Sequence, residues 1–231
     1  MTPTGDPVLL VTGASSGIGA ATVRRAAAAG YRVVAAARSS ERLAELRDEL
    51  GGPERVLAVT CDVAEWDDQR RMVDEALAAF GRIDVAVANA GVTVTPGFRA
   101  DTADRWRTMV LTNVYGTALT IRATLDALEA SRGHLVLTSS AAGRRALAGS
   151  LYGATKCAVT GMGEAARLEL NGTGVRVTVI EPGLVDTPLL GEPAAGRLAP
   201  DAVASAVLYA VSQPPDVDVN EIFLRPTAQD T

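Results

Sequence analysis

Short apolar runs alternate along the chain with longer stretches in which apolar residues recur every three or four positions. Val8 to Thr12, Arg32 to Ala36, Val56 to Thr60, Asp84 to Ala88, Leu135 to Thr138 and Val175 to Ile180 form the first class, and Glu221 to Leu224 ends it. These runs are nearly continuous in aliphatic residues, the pattern of strands buried on both faces rather than on one. Between them, Ile18 to Ala29, Ser40 to Leu50, Trp66 to Phe80, Ala103 to Ser131, Tyr152 to Leu170 and Pro200 to Val211 carry helical periodicity. Regular strand–helix alternation predicts right-handed crossovers. The expected fold is α/β: a Rossmann-like, doubly wound parallel sheet of about seven strands with helices on both faces. Neither a linker nor an internal repeat divides residues 1–231, so a single domain is expected.

Composition narrows the classes of function. Of 231 residues, 48% are hydrophobic and 21% charged, ample for a core and unlike a disordered chain. A net charge of −5 without a basic block argues against nucleic acid or an anionic membrane as partner. The polar start, Met1 to Asp6, has no basic leader, and no run reaches the roughly 20 apolar residues of a membrane span. A soluble cytoplasmic protein is expected. Cys61 and Cys157 lack metal-ligand spacing and suit a reducing compartment; the single histidine, His134, has no acidic or thiol partner nearby in sequence. No metal site is expected.

Two local motifs carry chemistry. Thr12-Gly13-Ala14-Ser15-Ser16-Gly17-Ile18-Gly19 follows the first strand and opens the first helix. Its glycines permit a tight turn and close approach of a phosphate, and the helix N-terminus offers free N–H groups to a pyrophosphate. The spacing is G-x-x-x-G-x-G, which differs from the common G-x-G-x-x-G fingerprint. The second motif, Tyr152-Gly153-Ala154-Thr155-Lys156, sets a phenol and an ammonium one helical turn apart. A nearby cation favours a phenolate, whose ordinary pKa is about 10, and makes the tyrosine a candidate acid or base.

With Asn89-Ala90-Gly91 after the fourth strand, Asn113, Ser140 and Pro182-Gly183 after the sixth, these motifs resemble, in order and over essentially the whole chain, the short-chain dehydrogenase/reductase family. The resemblance implies a catalytic set of Asn113, Ser140, Tyr152 and Lys156. Tyr152 would exchange a proton with the substrate oxygen while hydride passes to or from a nicotinamide. Ser140 would hydrogen-bond that oxygen. Lys156 would hold the nicotinamide ribose and depress the tyrosine pKa, and the Asn113 backbone would hold a water in a proton path. Ser140 matches the family register counted from the strand end. Counted back from Tyr152 the loop is one residue short, so Ser139 remains an alternative.

The same resemblance assigns dinucleotide contacts to Gly13, Ser15, Ser16, Gly17, Ile18 and Gly19, to Asp62 and Val63, to Asn89, Ala90 and Gly91, to Tyr152 and Lys156, and to Pro182, Gly183, Val185 and Thr187. Asp62 would accept from the adenine amino group, or alternatively cap the helix that follows. Where family members that use NAD carry a carboxylate, this chain has Ala37, followed by Arg38. A guanidinium suits a 2′-phosphate, so NADP(H) is the expected cofactor. Residues 188–199 would form a short substrate lid, giving an open site or one completed by a neighbouring subunit. Thr93, Val94, Arg144, Leu147, Leu151 and Leu184 are candidate pocket residues; Arg144 and Arg145 would either attract a substrate carboxylate or lie solvated.

Ile180-Glu181-Pro182-Gly183 and the C-terminal run Val219 to Gln229 resemble a branch containing NADP-dependent 3-hydroxy acid dehydrogenases and clavulanic acid dehydrogenase. The expected activity is reduction of a small carbonyl substrate, or oxidation of the corresponding alcohol. The alternative is a non-catalytic dinucleotide-binding redox sensor acting through a partner protein; retention of all four catalytic residues favours the enzyme. Family members assemble through the two long helices, implying a homotetramer or homodimer.

Overall fold

The computed structural model describes residues 5–229, so most of the polar start, residues 1–4, lies outside the described residues. Seven strands form one parallel sheet in the order β3-β2-β1-β4-β5-β6-β7. They are β1 (Val8–Thr12), β2 (Arg32–Ala37), β3 (Val56–Thr60), β4 (Val85–Ala88), β5 (His134–Thr138), β6 (Arg176–Pro182) and β7 (Glu221–Leu224). Helices α1 (Gly17–Ala28), α2 (Ser40–Glu49) and α7 (Pro200–Val211) cover one face. Helices α3 (Trp66–Phe80), α5 (Gly116–Ser131) and α6 (Leu151–Glu169) cover the other.

The near-continuous apolar strands follow from this double cover. Successive residues of a strand point to opposite faces. Accordingly Leu10, Val34 and Leu135 enter the core beneath α3, α5 and α6, and Leu9, Val33 and Val136 enter the core beneath α1, α2 and α7. The expected architecture is therefore the observed one, with element ends moved by one or two residues. The chain turns outward in opposite directions from β1, toward β2 on one side and β4 on the other. That reversal opens a crevice at the carboxyl ends of the strands, the usual place for a ligand in such sheets.

One expected element is divided. The helix expected over Ala103 to Ser131 consists of α4 (Ala103–Val110), a π-helical turn at Leu111–Tyr115, and α5. Within that turn the Gly116 N–H reaches the Leu111 carbonyl, five residues back. The extra residue rotates the helix so that Asn113 faces wholly inward, although a short amide is a poor interior helix residue.

Candidate active site

The carboxyl ends of the strands border a cleft of ≈ 980 Å³. At one end, the turn after β1 is shaped by glycines that nothing larger can replace. Gly13 has φ +69°, and a Cβ there would lie 2.8 Å from the Ala90 Cα; one on Gly19 would lie 2.2 Å from the Gly13 carbonyl oxygen. The N-cap residue of α1, Ser16, makes no side-chain cap bond, so the first-turn N–H groups of Gly17, Ile18 and Gly19 have no partner from that side chain. Ser15, Ser16, Gly17 and Ile18 line the cleft there. This is the donor set and the close backbone approach that a pyrophosphate requires.

Asn89 supports the turn from behind. Its Nδ2 donates to the Thr12 carbonyl at 3.0 Å, and the Asn89 and Ala90 N–H groups both donate to Thr12 Oγ1, at 3.1 and 3.2 Å. Thr12, not singled out from the sequence as a site residue, thus fastens the end of β1 to the end of β4. Asp62 does not cap α3, whose N-cap is Glu65. Its Oδ1 accepts from the Ala64 N–H at 3.0 Å, closing a turn before α3, while the residue lines the cleft beside Val63. Arg38 lies exposed at the end of β2 and lines the cleft. Arg42, in the first turn of α2, lines it too and was missed by sequence reasoning. The signal was available: Arg42 lies four residues beyond Arg38, inside the predicted helix. On the opposite wall stand Pro182, Gly183, Val185 and Thr187, with the Thr187 methyl packed where a Cβ on Gly17 would fall.

Of the four candidate catalytic residues, Ser140, Tyr152 and Lys156 line the cleft, and Asn113 is buried behind its wall. Tyr152 and Lys156 lie one turn apart on α6, with Lys156 Nζ 5.8 Å from the centroid of the tyrosine ring. Lys156 is only 4% exposed and donates to the Thr138 carbonyl at 2.8 Å. Burial pulls its pKa down to about 8. Asn113 is fully buried. It accepts from the Val92 N–H at 2.8 Å and donates to the Val92 carbonyl at 2.9 Å and to Thr155 Oγ1 at 3.0 Å. It therefore ties the loop after β4 to the helix of Tyr152. Its own carbonyl accepts from Thr117 Oγ1 at 2.8 Å.

The two serines separate cleanly. Both line the cleft, but Ser139 Oγ is taken up by α6, 2.9 Å from both the Lys156 carbonyl and Thr160 Oγ1. Ser140 Oγ accepts from the Ala142 N–H at 3.1 Å and donates to the Pro182 carbonyl at 3.4 Å, and it acts on the Tyr152 phenol by favouring its ionised form. One expectation needs correcting. Burial raises the Tyr152 pKa above its ordinary value, and the group that opposes the rise is Ser140, not Lys156. The Lys156 ammonium is engaged by the Thr138 carbonyl.

The outer end of the cleft is lined by Thr93, Val94, Leu147, Leu151 and Leu184, as expected, and by Leu189, Leu190, Phe223, Arg225 and Gln229, which sequence reasoning left unassigned. Gln229 is held in place by the Leu184 N–H, which donates to its Oε1 at 2.9 Å. Arg144 lines the cleft, as expected, and keeps part of its side chain exposed, but its guanidinium is engaged in ion pairs. It pairs with buried Glu181 and, at 3.1 Å, with Glu221, and its guanidinium stacks 5.0 Å from the Phe223 ring centroid. Cys61 lines the cleft with its thiol buried and pushed up to about 12, and buried His134 Nε2 pairs with Thr178 Oγ1 at 2.7 Å away from the cleft lining.

Residues 7–197 match the family described as short chain dehydrogenase. The chain belongs to the short-chain dehydrogenase family of oxidoreductases. An uncharacterized oxidoreductase of Staphylococcus saprophyticus is 38% identical over 228 residues, covering 96% of this chain and 97% of the relative. Among solved structures, an alcohol dehydrogenase from the archaeon Thermococcus sibiricus, complexed with 5-hydroxy-NADP, superposes with a TM-score of 0.92. It is 32% identical and covers 98% of this chain and 99% of its own. Serine dehydrogenase from Escherichia coli gives a TM-score of 0.88 at 34% identity, with 97% and 100% coverage. Among the described residues of this family member, no helix is long and apolar enough to cross a membrane.

Proposed function

We propose that the protein transfers hydride between NADP(H) and a small carbonyl or alcohol substrate, working mainly as a carbonyl reductase. The observation that carries this reading is the convergence of Ser140, Tyr152 and Lys156 beside a glycine turn that a pyrophosphate fits. The first-turn amides of α1 would hold the pyrophosphate, and Lys156 the nicotinamide ribose. When bound, the nicotinamide supplies or accepts the hydride. Tyr152 delivers the proton to the substrate oxygen, and Ser140 donates a hydrogen bond to the same oxygen as charge develops on it. Asn113 holds the loop and helix that frame these groups. Arg38 and Arg42, without a carboxylate at Ala37, support a 2′-phosphate and hence NADP(H). NADP+ or a derivative in related structures supports the same choice.

The segment 188–199 is proposed as a short lid. Its far end is anchored where the Leu198 N–H donates to the Leu184 carbonyl at 2.8 Å, and its near end presents Leu189 and Leu190 to the cleft. The exposed Val110 and Tyr115, beside the division between α4 and α5, and the exposed Leu168 on α6 support self-association through the helix around Asn113 and the helix of Tyr152. The test of function is consumption of NADPH and NADH with a panel of aldehydes, ketones and 3-oxo acids. Turnover with NADPH favoured is expected. Tight NADPH binding with no turnover on any member would favour the sensor reading instead.

A further inference from the structure

We infer that Glu181 is a positioning residue that locks together the two elements carrying the reacting groups; the inference rests on the proposed reductase chemistry. Glu181, on β6, is fully buried, and a carboxylate in such a place requires partners. It has them in two directions. One oxygen, Oε2, receives Arg144 Nη1, which belongs to the loop leaving Ser140 and also reaches Glu221 Oε2 on β7 at 3.1 Å. The other, Oε1, receives Thr160 Oγ1 at 3.3 Å, one turn beyond Lys156 on α6. Thr160 Oγ1 lies 2.9 Å from Ser139 Oγ, which in turn lies 2.9 Å from the Lys156 carbonyl.

One carboxylate therefore fixes the loop of Ser140 on one side and the helix of Tyr152 and Lys156 on the other, without touching the cleft itself. The arrangement also gives Ser139 a purpose: it is the joint between the end of β5 and α6. A shift of either element would misplace the Ser140 hydroxyl against the tyrosine, and small misplacements near reacting atoms are expensive in rate.

The test uses Glu181→Gln, which keeps the shape and removes the charge, and Arg144→Met, which cuts the same contact from the more exposed side. Three readouts apply: kcat on the best panel substrate, NADPH affinity by fluorescence titration, and amide hydrogen exchange over residues 139–145 and 152–160. Each variant should lose about 10- to 100-fold in kcat. NADPH affinity should change by no more than about twofold, and exchange in both segments should be faster. The double variant should be little worse than either single one, because the two residues act as a unit, and Arg144→Lys should restore part of the rate. Folded variants with wild-type kcat and unchanged exchange would overturn the inference, as would losses that simply add in the double variant. If the wild type turns over no substrate, the reductase reading fails, and exchange alone then decides whether Glu181 holds the two segments.

Discussion

Three residues near the reacting atoms behave differently from what their identities alone imply. Tyr152 is a phenol whose surroundings raise its pKa, so at neutral pH it is a proton donor, which suits reduction. Tyr152→Phe should abolish turnover and leave NADPH binding nearly intact; loss of both together would make the ring a structural element. Ser140→Ala should cost about 100-fold or more in kcat, the scale of a lost oxyanion donor. Ser139→Ala should cost far less, since that hydroxyl is engaged with the Lys156 carbonyl and Thr160. Steady-state kinetics of the two variants side by side separate them.

Lys156 is the costly residue for folding. Its folded pKa of about 8 lies below the unfolded value, so between about pH 8 and pH 10.5 the unfolded chain binds more protons and stability rises with pH. At pH 7 the buried charge is fully present and its penalty undiminished. Lys156→Met should therefore stabilise the cofactor-free protein at pH 7 by about 2 kcal/mol, allowing for the hydrogen bond lost at Thr138, while abolishing activity. Thermal melts from pH 7 to 10 check this. The variant should lose the rise between pH 8 and 10, and a lower Tm than wild type at pH 7 would contradict the assignment.

Elements were legible where a physical requirement leaves a mark in residue type. Strands buried on both faces must be apolar throughout, which made the five inner strands plain, while the edge strands β3 and β7 are only partly buried. The glycine turn was equally legible, because Gly13 and Gly19 sit where a Cβ would strike backbone. Gly19→Ala should accordingly weaken NADPH binding at least about tenfold, measured by titration, through displacement of the turn. The π-helical turn at Leu111–Tyr115 was not legible, since a one-residue register slip inside a helix leaves apolar periodicity almost unchanged. Its clue was Asn113, a residue out of character for a helix interior. The ion pairs of Arg144 were hidden for a related reason: nothing in two adjacent loop arginines announces that the fold brings Glu181 and Glu221 against one of them.

At the scale of the molecule, the sheet order places every site element at one edge. β1 and β4 diverge to open the cleft, β2 delivers Arg38, β5 delivers Ser140, and β6 delivers both Glu181 and the wall from Pro182 to Thr187. The proposed function thus separates cofactor selection in space from chemistry. Arg38→Asp should move preference from NADPH toward NADH, seen as the ratio of kcat/KM values, with the catalytic set undisturbed. Unchanged selectivity would remove Arg38 from that role and leave Arg42 as the remaining candidate.

The most direct test of the central claim is transfer of deuterium from NADPH deuterated at the nicotinamide C4 position to the carbonyl carbon of the best panel substrate, followed by mass spectrometry. The expected result is one deuterium in the alcohol product of the wild type, from one face of the ring only, and none with Tyr152→Phe although that variant still binds NADPH. Product formed without label, or labelled product formed equally well by Tyr152→Phe, would contradict hydride transfer assisted by this tyrosine.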